Sequence, residues 1–283
     1  MTFVSRLRLR KPIDTFAPFV GALFRVLRDN SSAYRVARQT RYGFTLAGCP
    51  PIAREDFELI ESNTFLELLE SHETVLDIGA NVGFYSCLAA SRGKHVISFE
   101  PSARNLKFLY RNLWENQFQN AEIFPMGLAK QPGLNRLYGF GAVASFVPGW
   151  LHANKSRFTF VPVTSLDTII AGRFQGRKLL IKMDVEGFEL DVLAGAARTL
   201  DLIPKPSWLV EVLLNDEAVP GGINRRFADV FETFWKHGYQ CKRLNAKREP
   251  VHPDDVQRWV ANGTVDIHNI AADEVHNFLF CGL

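Results

Sequence analysis

Between Thr74 and Ser86 the chain reads Thr-Val-Leu-Asp-Ile-Gly-Ala-Asn-Val-Gly-Phe-Tyr-Ser, an order that few folds accommodate. Val75, Leu76 and Ile78 form the short apolar run of a parallel strand buried on both faces. Gly79 and Gly83 bracket a tight turn, and from Phe84 the pattern becomes helical. Strand, glycine turn and helix together make the junction where an α/β sheet receives nucleotide-like ligands, which bind outside the carboxyl ends of parallel strands. Glycine serves such a turn because the backbone bends sharply and another group must come close to it.

The residues between the glycines narrow the ligand. A dinucleotide loop reads G-x-G-x-x-G; counted from Gly79, its later glycines fall on Asn81 and Phe84, so NAD fits poorly. Asp77-x-Gly79-x-Asn81-x-Gly83 instead resembles the acidic, glycine-spaced loop of class I S-adenosylmethionine (SAM) methyltransferases. SAM carries an ammonium and a sulfonium and has no pyrophosphate, so an acidic residue ahead of the turn makes electrostatic sense. An ordinary strand-to-helix turn can hold the same glycines, and the rest of the chain has to decide.

Downstream, His95-Val-Ile-Ser-Phe-Glu100 reads as a second strand ending in an acid. Glu100 lies about twenty residues beyond Gly79, the distance at which a carboxylate accepts both ribose hydroxyls of a nucleotide. Ser102 can cap the helix that follows. Ala121–Ala129 reads as the third strand with its exit. Residues 131–160 are rich in glycine and aromatics, with Tyr138, Phe140, Phe146 and Trp150, and short strands are expected at Arg136–Phe140 and Phe158–Val163. Such an excursion beside a sheet is either an acceptor wall or a hairpin that merely packs. Leu179–Met183 is a buried strand in which Lys182 precedes Asp184 and Glu186. Residues two apart share a strand face, and charges at a strand end are better explained by a cleft than by packing.

Val75-Leu-Asp-Ile-Gly-Ala-Asn-Val-Gly, Phe99-Glu-Pro-Ser, Ser165-Leu-Asp-Thr-Ile and Ile181-Lys-Met-Asp-Val-Glu-Gly-Phe-Glu stand in this order. Together they resemble the FkbM-type methyltransferases, over roughly residues 60–282. The resemblance implies a doubly wound, mostly parallel α/β sheet of seven strands, Rossmann-like, closed by an antiparallel C-terminal hairpin. It also implies SAM as cofactor and O-methylation of hydroxyls on sugars, glycans or polyketide-type products. On that reading Asp77, Gly79, Asn81 and Gly83 hold the amino-acid end of SAM, Glu100 the ribose, and Met126 and Gly127 the adenine. Asp184 is the base, with Glu186 positioning the acceptor or helping to hold SAM; Lys182, Tyr138 and Trp150 meet the acceptor. A divalent-metal site at the carboxylates is the less favoured arrangement, because no further carboxylate stands at a fixed spacing. A nucleotide-dependent oxidoreductase and a non-catalytic binding protein of the same fold are the rival readings.

Composition bounds the rest. With 283 residues, 47% hydrophobic and 22% charged, the chain suits one large core plus an extension. We divide it into a basic helical segment at 1–50 and a methyltransferase domain at 51–283. Arg6, Arg8, Arg10, Lys11, Arg25 and Arg28 accompany an apolar stripe at Phe16, Phe19, Val20, Leu23, Phe24 and Leu27, an amphipathic helix expected to dock on the domain, with weak membrane-surface contact as the alternative. The net charge of +3 is too small to argue for a nucleic-acid partner. No stretch reaches transmembrane length. The four cysteines form no C-x-x-C pair and no zinc spacing, which fits free thiols and a cytoplasmic setting.

Overall fold

The computed structural model describes residues 35–53, 57–170, 172–215, 222–245, 247–263 and 276–282. Helix α1 (Leu59–Leu69) leads into β1 (Thr74–Ile78), and α2 (Phe84–Ala90), β2 (His95–Phe99), α3 (Ala103–Glu115) and β3 (Ala121–Phe124) complete the first half. A side hairpin follows, β4 (Gly133–Tyr138) and β5 (Phe158–Thr164). The second half runs α4 (Leu166–Ile170), β6 (Leu179–Met183), α5 (Glu189–Ala194), α6 (Ala197–Leu200), β7 (Ser207–Glu211), α7 (Phe227–Lys236), β8 (Tyr239–Arg243), β9 (Pro250–Val251), α8 (Pro253–Asn262) and β10 (Asn277–Gly282).

These strands form one sheet in the order β9-β8-β10-β7-β6-β1-β2-β3. β7, β6, β1, β2 and β3 are mutually parallel, whereas β10 runs antiparallel to both β7 and β8. This is the doubly wound sheet with a C-terminal antiparallel hairpin that the motifs imply, with one addition. β9 pairs Val251 with Cys241 at the edge, an eighth strand of two residues beginning with a proline, which an edge tolerates. The winding reverses between β1 and β6, so a crevice opens at their carboxyl ends. The side hairpin joins the two-residue strand Gly127–Leu128 in a separate three-stranded sheet, and Gly139, with φ +73°, turns the chain at the end of β4. The amphipathic helix expected at the N-terminus lies outside the described residues.

Side-chain alternation gives the sheet two different faces. Leu76, Ile78, Ile97, Phe99, Ile181, Met183, Trp208 and Val210 turn to one side, where they pack with Leu166 of α4, Val192 and Leu193 of α5, and Phe227, Val230, Phe231 and Phe234 of α7. Val75, Val96, Leu180, Leu209 and Leu279 turn to the other, against Phe65 of α1, Leu88 of α2 and Leu109 of α3. Asp77, Ser98, Lys182 and Glu211 follow the phase of this second face, at its carboxyl end.

Candidate active site

The turn after β1 is built around the neighbouring turn after β6. Gly79 has φ +82°, and a Cβ there would stand 1.8 Å from the carbonyl oxygen of Asp184. Asp184 N–H in turn donates to Ile78 O at 2.9–3.1 Å spacing typical of the ladder, here 3.0 Å. The glycine that the sequence assigns to ligand approach is thus required first by the close contact of two strand ends. Asn81 is left-handed at φ 53°, a conformation asparagine tolerates better than most residues. Its N–H donates to Glu100 Oε2 at 2.8 Å, and Ser102 N–H donates to Oε1 at 2.7 Å. Glu100 therefore clasps the glycine turn to the start of α3. Each carboxylate oxygen keeps a further lone pair for a ligand hydroxyl.

A cleft open to solvent lies over this turn, lined by Gly79, Asn81, Glu100, Asn105, Gly127 and Asp184, among others. Phe99, Leu128, Leu137 and Phe146 make one side apolar. Among the described residues, Glu100, Asp184 and Glu186 are the ionisable groups of the lining, with no lysine, arginine or histidine. Burial pushes the Glu100 carboxyl up to about 7, against the opposing pull of the Ser102 and Asn81 N–H groups. Burial and then the charge of Asp184 push Glu186 up to about 8, while the Trp150 indole N–H holds it down somewhat. That indole donates to Glu186 Oε2 at 2.8 Å, and Ser145 Oγ donates to the Glu186 carbonyl at 2.6 Å. Glu186 is itself left-handed at φ 54° and is followed by Gly187, where a Cβ would strike the Trp150 ring at 2.5 Å.

Beneath the same strand ends, on the face covered by α1 and α2, lies a polar layer. Asp77 pairs across the sheet with Ser98 on one side and Lys182 on the other. Its carboxylate accepts a hydrogen bond from Ser86 Oγ, which also contacts Ser98 Oγ at 2.8 Å. Asp77 is buried, and burial raises its pKa to about 6 despite the Ser86 bond and Lys182. Lys182 is only 3% exposed, with its Nζ 4.0 Å from Asp184 Oδ2 and 5.4 Å from the Tyr85 ring centre. Burial works against its charge, but Asp184, Glu211, Glu58 and Asp77 outweigh it and leave the ammonium's pKa above the ordinary value.

Of the residues singled out in the sequence, the fold brings Gly79, Asn81, Glu100, Gly127, Asp184 and Glu186 together around the cavity. Asp77 and Lys182 lie under it in the polar layer, and Gly83 stands behind the turn, packed on Leu109. Met126 is half-buried at the exit of β3, outside the lining. Trp150 and Tyr138 are 3% and 7% exposed and also outside the lining, so Trp150 braces Glu186 from behind and offers no stacking surface. Sequence reasoning missed Asn105, Tyr85, Glu58 and the Ser86–Ser98 pair, which no motif marks. It missed as well that Asp167 of the Ser-Leu-Asp-Thr motif is structural: its carboxylate accepts the N–H groups of Arg198 and Thr199 at 2.9 Å, at the start of α6.

The sequence model of the family described as "Methyltransferase FkbM domain" matches residues 77–241, more than half of the chain. The chain belongs to the FkbM methyltransferase family. No curated protein sequence matches the chain. Among solved structures, the chain is similar to a SAM-dependent methyltransferase from Agrobacterium tumefaciens, at 9% identity and TM-score 0.46, covering 89% of this chain and 71% of that one. It is similar to a TehB-like SAM-dependent methyltransferase from Corynebacterium glutamicum, at 11% identity and TM-score 0.41, covering 78% and 87%. It is also similar to WbdD, at 14% identity and TM-score 0.46, covering 91% of this chain and 46% of that one, so the chain spans about half of WbdD's length.

The cavity fits the family's methyl donor, SAM. Among the described residues the ionisable groups of the lining are carboxyls, which suit a ligand bearing an ammonium and a sulfonium and oppose a pyrophosphate. Glu100 can take a ribose diol, and the Gly127–Phe146 side is apolar enough for an adenine ring. Among the described residues, no group of three or more His, Cys, Asp and Glu side chains could hold a metal ion, and no helix is long and apolar enough to cross a membrane.

Proposed function

We propose that this FkbM methyltransferase is an O-methyltransferase acting on a hydroxyl of a sugar, glycan or polyketide-type product, with Asp184 as the base. The observation that carries the reading is the position of Asp184. It lines the cavity that fits SAM, its side chain keeps 38% of its surface, and it meets the buried ammonium of Lys182 at its other edge. Bound SAM supplies a methyl group already activated on a positively charged sulfur. What remains for the protein is to hold the acceptor in line, exclude water and take the hydroxyl proton as the C–O bond forms. Asp184 takes that proton and Lys182 keeps the carboxylate oriented. Glu186, with a pKa near 8, is mostly protonated at neutral pH and acts as a hydrogen-bond donor in the cofactor wall. Gly79, Asn81 and Glu100 hold SAM, with Asp77 supporting the turn from below.

A methyl-transfer screen against glycoside and polyketide acceptors, read by product mass, tests this. Asp184→Asn is nearly isosteric, and it should lower turnover by roughly two to four orders of magnitude while SAM affinity is kept. Near-normal turnover in Asp184→Asn rejects the base assignment. Transfer to amines in preference to hydroxyls rejects O-methylation.

A further inference from the structure

The chain between β4 and β5 forms a strap beside the cleft. Gly141, Ala142, Ala144 and Phe146 of this strap are part of the lining, so a ligand that fills the cleft meets the strap as well as the strand tips. Tyr138 and Ser145 exchange backbone hydrogen bonds at 2.8 and 3.0 Å, which closes residues 139–144 into a compact loop. The strap turns at a left-handed residue at each end, Gly139 at φ 73° and Leu151 at φ 45°. Leucine is disfavoured in that conformation and keeps it only where its surroundings hold it.

The side-chain ties of the strap end on acids of the cleft. Asn105 Nδ2 donates to Gly141 O at 3.2 Å, and the same side chain favours the Glu100 carboxylate. Ser145 Oγ donates to Glu186 O at 2.6 Å, and Trp150 Nε1 donates to Glu186 Oε2 at 2.8 Å. Phe146 packs on Phe188 with ring centres 5.0 Å apart and fills the space beside Gly127.

The strength of the Trp150 tie depends on charge. A hydrogen bond to a carboxylate is roughly twice as strong as one to a neutral carboxyl. Burial first, then Asp184, and also Glu189 favour the protonated form of Glu186, against the Trp150 indole and Lys182. A sulfonium in the cleft favours the carboxylate instead. S-adenosylhomocysteine, the product of methyl transfer, has a neutral sulfur and adds no such charge. The indole bond is therefore stronger with the methyl donor bound than with the spent cofactor.

Resting on SAM as the occupant of the cleft, we propose that residues 139–151 form a lid that tightens on SAM and loosens on S-adenosylhomocysteine, with Trp150 as its latch. Trp150 lies outside the lining and acts through Glu186, so it is a positioning residue. The tightened lid shields the reacting sulfonium from water, and its loosening speeds release of the product.

Hydrogen exchange of the amides of residues 141–150 tests this, on the full chain saturated with SAM or with S-adenosylhomocysteine at neutral pH. SAM should slow exchange about fivefold more than S-adenosylhomocysteine does. Trp150→Phe keeps a ring against Gly187 and loses the N–H; Glu186→Gln keeps the shape of the side chain and cannot ionise. Each variant should protect the strap equally with the two ligands, while calorimetry still shows SAM binding. A wall with a merely structural role is protected alike by both ligands in every variant. Equal protection in the wild-type protein therefore overturns the proposal, as does a SAM-specific protection that survives in either variant. If Trp150→Phe does not fold, Glu186→Gln alone decides. Failure of the wild-type protein to bind SAM would instead overturn the cofactor reading on which the proposal rests.

Discussion

The two faces of the central sheet end differently at the same strand tips. On the face covered by α4, α5 and α7, the last residues are Ile78, Phe99, Met183 and Val210, apolar to the end. On the face covered by α1 and α2, the equivalent places hold Asp77, Ser98, Lys182 and Glu211, in strands whose earlier residues on that face include Val75, Val96, Leu180 and Leu209. Stability alone favours the first arrangement, since a buried ion pair gains little over well-packed apolar groups of the same volume. The polar ending lies beneath the strand tips beside Asp184, whereas the apolar ending supplies Ile78 and Phe99 to the wall of the cavity.

Substitutions can break that contrast. The largest effect is expected at Gly79, where the two strand tips meet. Gly79→Ala forces a Cβ into the Asp184 carbonyl at a left-handed position, and should cost roughly 3–5 kcal/mol, measured by denaturant unfolding. Next come neighbours in β6 that face opposite ways. Lys182→Met removes the charge that offsets several buried carboxyls and should destabilise by about 2–4 kcal/mol, whereas Met183→Leu on the apolar face should cost less than about 1.5 kcal/mol. Equal costs would erase the distinction between the faces. A smaller effect, about 1 kcal/mol, is expected for Trp150→Phe, which keeps the packing on Gly187 and loses the bond to Glu186. Because that bond holds the Glu186 pKa down, the same variant should move it further up, which carboxyl-selective NMR can follow.

A different effect is spread over pH. Asp77, Glu58, Glu100, Glu189 and Glu186 have folded pKa values raised to about 6, 7, 7, 7 and 8. A carboxyl raised on folding favours the native state while protonated, so its contribution is complete below the unfolded value and is lost as pH rises through the folded one. The ligand-free protein should melt lower at pH 8 than at pH 5 in a thermal scan. Glu186→Gln should flatten that slope. SAM, being cationic at the sulfur, should bind more tightly as pH rises over the same range and release protons on binding.

Much of this was legible in the chain because it is local. The strand, glycine turn and helix from Thr74, and the acid at Glu100, sit at fixed separations along the sequence, and the family motifs supply the sheet order. The eighth strand, Pro250–Val251, is too short to carry a pattern. The role of Gly79 was only half legible: the turn needs a left-handed residue, but its tightest contact is with Asp184, more than a hundred residues away, which no spacing rule reports. Trp150 and Tyr138 read as aromatic walls because sequence shows residue type without direction, and the fold turns both inward. Tyr85 and Glu58 were invisible for the same reason. A tyrosine in an apolar helix and a glutamate before another look like packing and surface until the strand ends bring Lys182 over the Tyr85 ring.

The central claim is that SAM fills the cavity over the Gly79 turn, with its sulfur toward Asp184. A crystal structure of the protein with S-adenosylhomocysteine tests it most directly. The expected result is the ribose hydroxyls on Glu100, the adenine beside Gly127 and Phe146, and the sulfur facing Asp184. A nucleoside bound away from Glu100, or a sulfur pointing toward the side hairpin with Asp184 screened from it, would contradict the claim.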